Sequence, residues 1–283
     1  MIATFIIVFR EVLEAALVIG IVMAASRGVL KRGWWVSGGC VAGVLGAILV
    51  AVFASEISSL MAGMGQEIFN SSVLFAAVGM LGWHNIWMTR HGRELAMQAT
   101  QLGKDVVSGT RPLYALALVC GIALLREGSE LVLFLYGIAV GGGSGTVDMA
   151  IGGAFGLAAG VAVGVAMYFG LLSIPLRYLF TATSWLLLLL AAGMASQGAA
   201  FLAAADVLPS LGDRVWDTSF LLTERSIVGQ VLHVLAGYTA RPAGIQLVFF
   251  AATLLIIGSL MRWTRNKPPP AKPSVTAPAA KAS

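Results

Sequence analysis

Residues 5–25 read FIIVFREVLEAALVIGIVMAA, and residues 118–140 read LVCGIALLREGSELVLFLYGIAV. Each stretch is long enough to cross a bilayer, which takes about 20 mostly apolar residues. Each also carries three charges near its centre in one order, R-E-x-x-E: Arg10-Glu11-Val12-Leu13-Glu14 and Arg126-Glu127-Gly128-Ser129-Glu130. A single charge at such a depth costs at least ~2.5 kcal/mol on insertion scales. Three of them, repeated in the same order at two distant points, mark the place where function resides.

The rest of the chain agrees with a membrane protein. Of its 283 residues 58% are hydrophobic and 11% charged, against about 25% charged in soluble domains. Apolar runs near 3–25, 34–54, 68–88, 112–140, 148–170, 176–203 and 244–263 predict an all-α polytopic membrane protein with seven transmembrane helices. The 112–140 run exceeds one span, which predicts a tilted or broken helix. Gly152, Gly156, Gly160 and Gly164 recur every four residues and form a close-packing stripe for a neighbouring helix. Cys40 and Cys120 show neither metal-type spacing nor a disulfide framework and read as structural thiols. The first apolar run lacks a basic leader and carries charges at its centre, so it reads as a mature helix rather than a signal peptide. The transmembrane domain is therefore placed at 1–263, with an outer connection at about 204–243 whose stretch from Ser226 to Tyr238 lies at the interface or re-enters. Residues 264–283, rich in Pro, Ala and Lys, are expected to form a disordered cytoplasmic tail.

Basic residues set the orientation. Arg27, Lys31 and Arg32, then Arg90, Arg93, Lys104 and Arg111, then Arg177 and the C-terminal tail fall on one side. The opposite side has Arg214, Arg225 and Arg241 against seven acids, including Glu56, Glu67, Asp148, Asp217 and Glu224. The N-terminus is thus expected outside and the C-terminus in the cytoplasm, with an acidic mouth that concentrates cations. The chain's net charge of +5 is a topology signal and not a nucleic-acid footprint.

On a helix of ~3.6 residues per turn, Glu14 lies about 40° and Glu11 about 100° round from Arg10, so each copy offers two carboxylates and a bracing guanidinium on one stripe. With three crossings between them, the first and fourth helices run in opposite directions. That predicts a 3+3 inverted repeat plus one extra helix, with a site near the midplane where the halves meet. Four carboxylates and two arginines would leave a formal −2 there, suited to a hard or borderline cation such as iron, manganese, magnesium or calcium. His84, between Trp83 and Asn85, reads first as an interhelical hydrogen-bonding group and second as a ligand. Glu67, Asp217 and Glu224 are candidates for an outer vestibule, Asp217 and Glu224 also for partner docking, and Gln197 for a lining group. Met61 and Met64, near the outer surface, read as interfacial packing before metal contacts. There is no H-E-x-x-H pattern and no nucleophile–base pair, so the chain does not read as an enzyme.

Doubled R-E-x-x-E in the first and fourth of seven helices resembles the oxidase-dependent iron permeases, over roughly residues 1–263, including the stretch around Trp216-Asp217-Thr218 and Gly237-Tyr238. The family's usual form is R-E-G-L-E; Val12 replaces its glycine in the first copy and Ser129 its leucine in the second. The resemblance implies an iron-uptake permease of the bacterial inner membrane. Glu11, Glu14, Glu127 and Glu130 would bind iron in transit, and Arg10 and Arg126 would support them. It implies periplasmic iron-binding or ferroxidase-type partners, iron as substrate, and no permanent cofactor. Uptake of another divalent metal, such as lead or manganese, is the alternative cargo. A non-transporting membrane anchor of an oxidoreductase is the alternative class.

Overall fold

A computed structural model describes residues 1–265 apart from 62–64, 142–144, 171–175, 213, 221, 224–225, 227, 230–231 and 234–236. Among the described residues the regular structure is helical. Seven long helices follow one another: α1 (Ile2–Ala25), α2 (Arg32–Met61), α3 (Gln66–Val107), α4 (Tyr114–Val140), α5 (Thr146–Tyr168), α6 (Leu176–Ala204) and α7 (Gly244–Arg265). The tail from residue 266 and Glu224 lie outside the described residues, as does Met64.

Side-chain contacts fix the helix directions. Glu14 meets His84, and Ala25 faces Gly103, so α1 and α3 run parallel. Glu130 meets His84 while Gly137 faces Ala77, so α4 runs against α3. Ser71 Oγ donates to the Gly198 carbonyl at 2.9 Å and Asn85 Nδ2 to the Ser184 carbonyl at 3.0 Å, which sets α6 antiparallel to α3. Gly82 faces Ile257, and Asn85 contacts Met261, so α7 parallels α3. Successive helices thus alternate in direction, as a chain threaded back and forth through a bilayer must.

The outside of the bundle is apolar. Val41, Leu45, Leu49 and Phe53 on α2 and Phe155 and Val165 on α5 are exposed, a surface that water would not tolerate but lipid solvates. Trp34, Trp35, Tyr114, Phe169, Tyr178 and Trp263 are exposed at helix ends that the alternation puts on one side. Such a belt of amphipathic rings belongs at a membrane interface. Four helices, α2, α5, α6 and α7, are long and apolar enough to cross a bilayer by length and composition. In α1 and α4 every stretch of spanning length includes the three charges of its R-E-x-x-E.

One difference from the sequence expectation concerns a boundary. The third helix does not end near residue 88 but continues to Val107, some 42 residues or about 63 Å. Its second half is held by a new apolar face: Ala99, Leu102 and Val106 are buried against Val22, Val36, Leu116 and Cys120. Burying one such leucine contributes about 1.5–3 kcal/mol, which offsets the exposed polar face that made the stretch read as a loop. Gln101 Nε2 also donates to Asp105 Oδ1 one turn on at 2.8 Å. The helix stops where the Ser108 and Thr110 hydroxyls both donate to the Asp105 carbonyl and Gly109 adopts φ 75°. The 112–140 run is one unbroken helix over 114–140, so of the two expectations, tilt or a break, the break is not found.

Glycines define two helix seams. On α5, a Cβ at Gly156 would stand 2.7 Å from the Phe5 carbonyl oxygen, 2.9 Å from Val8 Cβ and 3.0 Å from the Phe9 nitrogen. On α2, a Cβ at Gly43 would stand 2.5 Å from the Gly121 carbonyl oxygen, 2.8 Å from Leu124 Cβ and 3.2 Å from the Leu125 nitrogen. Gly152 abuts Met1 as Gly39 abuts Ala117. Relative to Arg10 and Arg126, these partners occupy the same places, so α1 packs on α5 as α4 packs on α2. In both seams backbone approaches backbone, and any side chain at the glycine would wedge the helices apart.

Candidate metal centre

The charged residues of both copies point inward and leave lipid to their apolar neighbours. Arg10 and Glu11 are each 1% exposed and Glu14 3%, with Glu127 and Glu130 below 10%. The i,i+4 spacing works as the helix geometry requires. Arg10 Nε lies 2.9 Å from Glu14 Oε1, and Arg126 Nε donates to Glu130 Oε1 at 3.1 Å. Each guanidinium also approaches the nearer carboxylate more loosely, Arg10 to Glu11 at 3.7 Å and Arg126 to Glu127 at 3.8 Å. Glu11 and Glu127, the first carboxylates of the two copies, face one another across the α1–α4 contact.

The two arginines are not equivalent. Arg10 is enclosed, whereas the Arg126 side chain is 34% exposed and its guanidinium lies over the Trp87 ring at 4.2 Å. The Ser129 hydroxyl donates back to the Arg126 carbonyl at 2.8 Å, so the serine that departs from the family pattern is satisfied within its own helix.

His84 of α3 completes the cluster. It is 1% exposed and stands between the copies, Nε2 at 3.3 Å from Glu14 Oε2 and Nδ1 in direct contact with Glu130 Oε2. Donor atoms of Glu11, His84, Glu127 and Glu130 all lie within 4.8 Å of one another. Two ligands on opposite sides of one ion at about 2.1 Å each are ~4.2 Å apart, so a few tenths of an ångström of contraction close this set on a single metal. Within it Glu11 and Glu127 lie carboxylate to carboxylate and His84 meets Glu130 Oε2, so three buried carboxylates share few donors. Buried carboxylate oxygens are costly unless a donor or a cation meets them. Glu14 is not in this group of four; Arg10 and His84 hold it at the edge.

The site is closed on one side and open on the other. Before Glu11 in α1, before His84 in α3 and beyond Glu130 in α4 lies a packed apolar cluster that includes Ala3, Ile7, Leu74, Ala77, Leu81, Phe134 and Ile138, with Leu190 and Met194 of α6. In the opposite direction a cavity of about 470 Å³ starts at Arg10 and Glu14. It runs past Leu17, Ile21, Met88, Leu95, Ser184 and Met261 to Arg262, towards the ends of α1, α3 and α7.

The remaining candidates sit apart. Glu67 is exposed in the first turn of α3. In the connection after α6, Arg241 Nε donates to Asp217 Oδ2 at 2.9 Å, and the Ser219 hydroxyl and backbone N–H donate to Oδ1. Chiefly the Ser219 bonds, with Arg241 beside them, hold the Asp217 carboxyl below the usual range. Asp217 is thus tied into its loop. Thr218 and Tyr238 lock the same loop through a 2.6 Å hydroxyl contact. Gln197 approaches His233 at 3.3 Å and Gly141, away from the carboxylates. The Met61 side chain lies outside the described residues.

A helical bundle with an apolar outside, helices long and apolar enough to cross a bilayer and a buried carboxylate cluster where two charged helices meet has the makeup of a polytopic membrane protein. The chain belongs to the iron permease FTR1 family, whose model matches residues 1–263. Among curated proteins it is 28% identical over 246 residues to the ferrous iron permease EfeU of Yersinia pestis, covering 86% of each chain. It is also 28% identical over 247 residues to the ferrous iron permease EfeU of Escherichia coli O6:H1, covering 86% of this chain and 88% of that one. No solved structure matches it.

Proposed function

We propose that this protein is an iron-uptake permease of the bacterial inner membrane, and that Glu11, Glu14, Glu127 and Glu130 carry the ion across, braced by Arg10 and Arg126. The observation that carries the proposal is the buried cluster in which Glu11 faces Glu127 and donor atoms of Glu11, His84, Glu127 and Glu130 lie within 4.8 Å of one another. Iron is the favoured cargo because the chain belongs to an iron permease family and its relatives are named ferrous iron permeases. Ferrous iron fits the carboxylate set, being a borderline ion that oxygen ligands accept.

The seven long helices are read as seven crossings, α1–α3 and α4–α6 as an inverted repeat, and α7 as an addition. The register match between the α1–α5 and α4–α2 seams supports the repeat, as does the antiparallel course of α1 and α4. The basic residues and the aromatic belt share one side, which is assigned to the cytoplasm. Iron then enters from the acidic outer face, where Glu67 and Asp217 form part of the mouth and periplasmic iron-binding or ferroxidase-type proteins deliver it. The 470 Å³ cavity below Glu14 serves as the exit, with Glu14 as the last carboxylate the ion meets.

The test is uptake of ferrous iron by the purified chain in sealed liposomes under anaerobic conditions. Wild type should accumulate iron well above protein-free vesicles, and correctly folded Glu11→Gln and Glu127→Gln proteins should fall to near background. Full uptake by both variants would remove the site assignment, and no uptake by wild type would remove the permease reading.

A further inference from the structure

We infer that His84 is a direct ligand of the transported ion, forming with Glu11, Glu127 and Glu130 a mixed nitrogen–oxygen site that favours borderline transition metals over hard cations. This rests on the permease reading above and adds to it a residue outside both R-E-x-x-E copies.

Three observations carry it. His84 comes from α3, yet its ring stands between carboxylates of α1 and α4 and touches both copies. Its donor atom lies within 4.8 Å of those of Glu11, Glu127 and Glu130, in a set that is buried throughout. Its two ring nitrogens face carboxylates of opposite copies, Nε2 against Glu14 Oε2 and Nδ1 against Glu130 Oε2. The ring is thus already positioned between the carboxylates, and a metal arriving there displaces one of its protons to take up that nitrogen's lone pair.

The chemistry of the set decides the selectivity. Four oxygens alone would suit calcium, magnesium and manganese as well as iron. Imidazole nitrogen binds iron, nickel, copper and zinc in preference to calcium or magnesium, so replacing one oxygen with nitrogen biases the site towards ferrous iron. The pair of cavity methionines, Met88 and Met261, lies beyond Glu14 and outside the group of four. The selective nitrogen is therefore at the ion's central station, not on its way out.

Manganese(II) is the probe, because pulsed electron paramagnetic resonance detects nitrogen bound directly to it. The full chain in detergent, loaded with manganese(II), should show a directly bound ¹⁴N coupling that converts to ¹⁵N when histidine is supplied as the ¹⁵N form. The coupling should persist in a His91→Gln/His233→Gln double variant and vanish in His84→Gln. Competition for uptake in liposomes should show His84→Gln losing at least about tenfold of the preference for ferrous iron over calcium. Bound manganese without any histidine nitrogen coupling in wild type would overturn the proposal and leave the carboxylate site standing, as would coupling that survives in His84→Gln. If wild type binds no manganese at all, the carboxylate site and this proposal fall together.

Discussion

Val12 fills the space that Gly160 leaves open on α5: a Cβ on Gly160 would stand 2.8 Å from Val12 Cγ1 and 2.9 Å from Val12 Cβ. In the other seam the sizes are exchanged. Gly128, which holds Val12's place in the second copy, faces Ala47 of α2. Val12, which stands where the R-E-G-L-E pattern has glycine, is thus matched by a glycine on the facing helix. Gly160→Ala should destabilise the protein by about 1–3 kcal/mol through overpacking, and the second change Val12→Gly should recover most of that loss. Thermal unfolding in detergent of the two single variants and the double variant measures the coupling.

Arg10 and Arg126 should differ in what they protect. Removing Arg10 leaves Glu14 as a buried charge with its guanidinium gone, and breaking such a buried pair costs about 3–5 kcal/mol. Arg126 is partly exposed and shares its guanidinium with the Trp87 face, so Arg126→Ala should cost clearly less. Melting temperatures of the two variants in one detergent provide the comparison; equal losses would contradict the asymmetry of the site.

The cavity predicts a sided reactivity. In a Cys40→Ala background, with Cys120 fully buried, a cysteine at Leu95 should react with a membrane-impermeant thiol reagent from the cytoplasmic face. A cysteine at Phe134, inside the apolar cluster, should stay unreactive from the outer face. Labelling of the Leu95 position from outside only would reverse the assignment of entrance and exit.

The outer loop should be pH-sensitive in one direction. The Asp217 carboxylate is held in its ionised form by Ser219 and Arg241, so its depressed value links loop order to pH with a definite sign. The contribution is present above the ordinary aspartate range and disappears as pH falls through the depressed value. Hydrogen exchange at the Ser219 amide, which donates to Asp217, should be slower than in the Asp217→Asn protein at neutral pH, and the difference should vanish as pH falls through the depressed value; identical protection in both proteins at neutral pH would contradict the linkage.

What the sequence disclosed follows from range. The Arg10–Glu14 and Arg126–Glu130 pairs are one helical turn apart, so spacing alone placed them on one stripe, and their burial followed from the apolar flanks. The glycine stripe of α5 was equally local, although only the structure shows that Met1, Phe5, Val8 and Val12 lie against it. His84 was harder, because a lone histidine in an apolar helix carries no mark of the carboxylates 70 residues before it and 46 after it. The far half of α3 was hidden for another reason. Its buried face is spread over Ala99, Leu102 and Val106, too sparse for a hydrophobic run, and it depends on partners in α1, α2 and α4. The proposed inverted repeat follows in the sequence from counting crossings; the matched partners of Gly43 and Gly156 are a local feature that supports the proposal.

The central claim is that one ion sits between the two copies, and locating the metal tests it most directly. A structure of the full chain loaded with ferrous iron, with the ion identified by anomalous scattering at the iron edge, should place iron about 2.0–2.3 Å from oxygens of both Glu11 and Glu127. Iron bound at Glu67 or Asp217 alone, with Glu11 and Glu127 still facing each other without an ion, would contradict it.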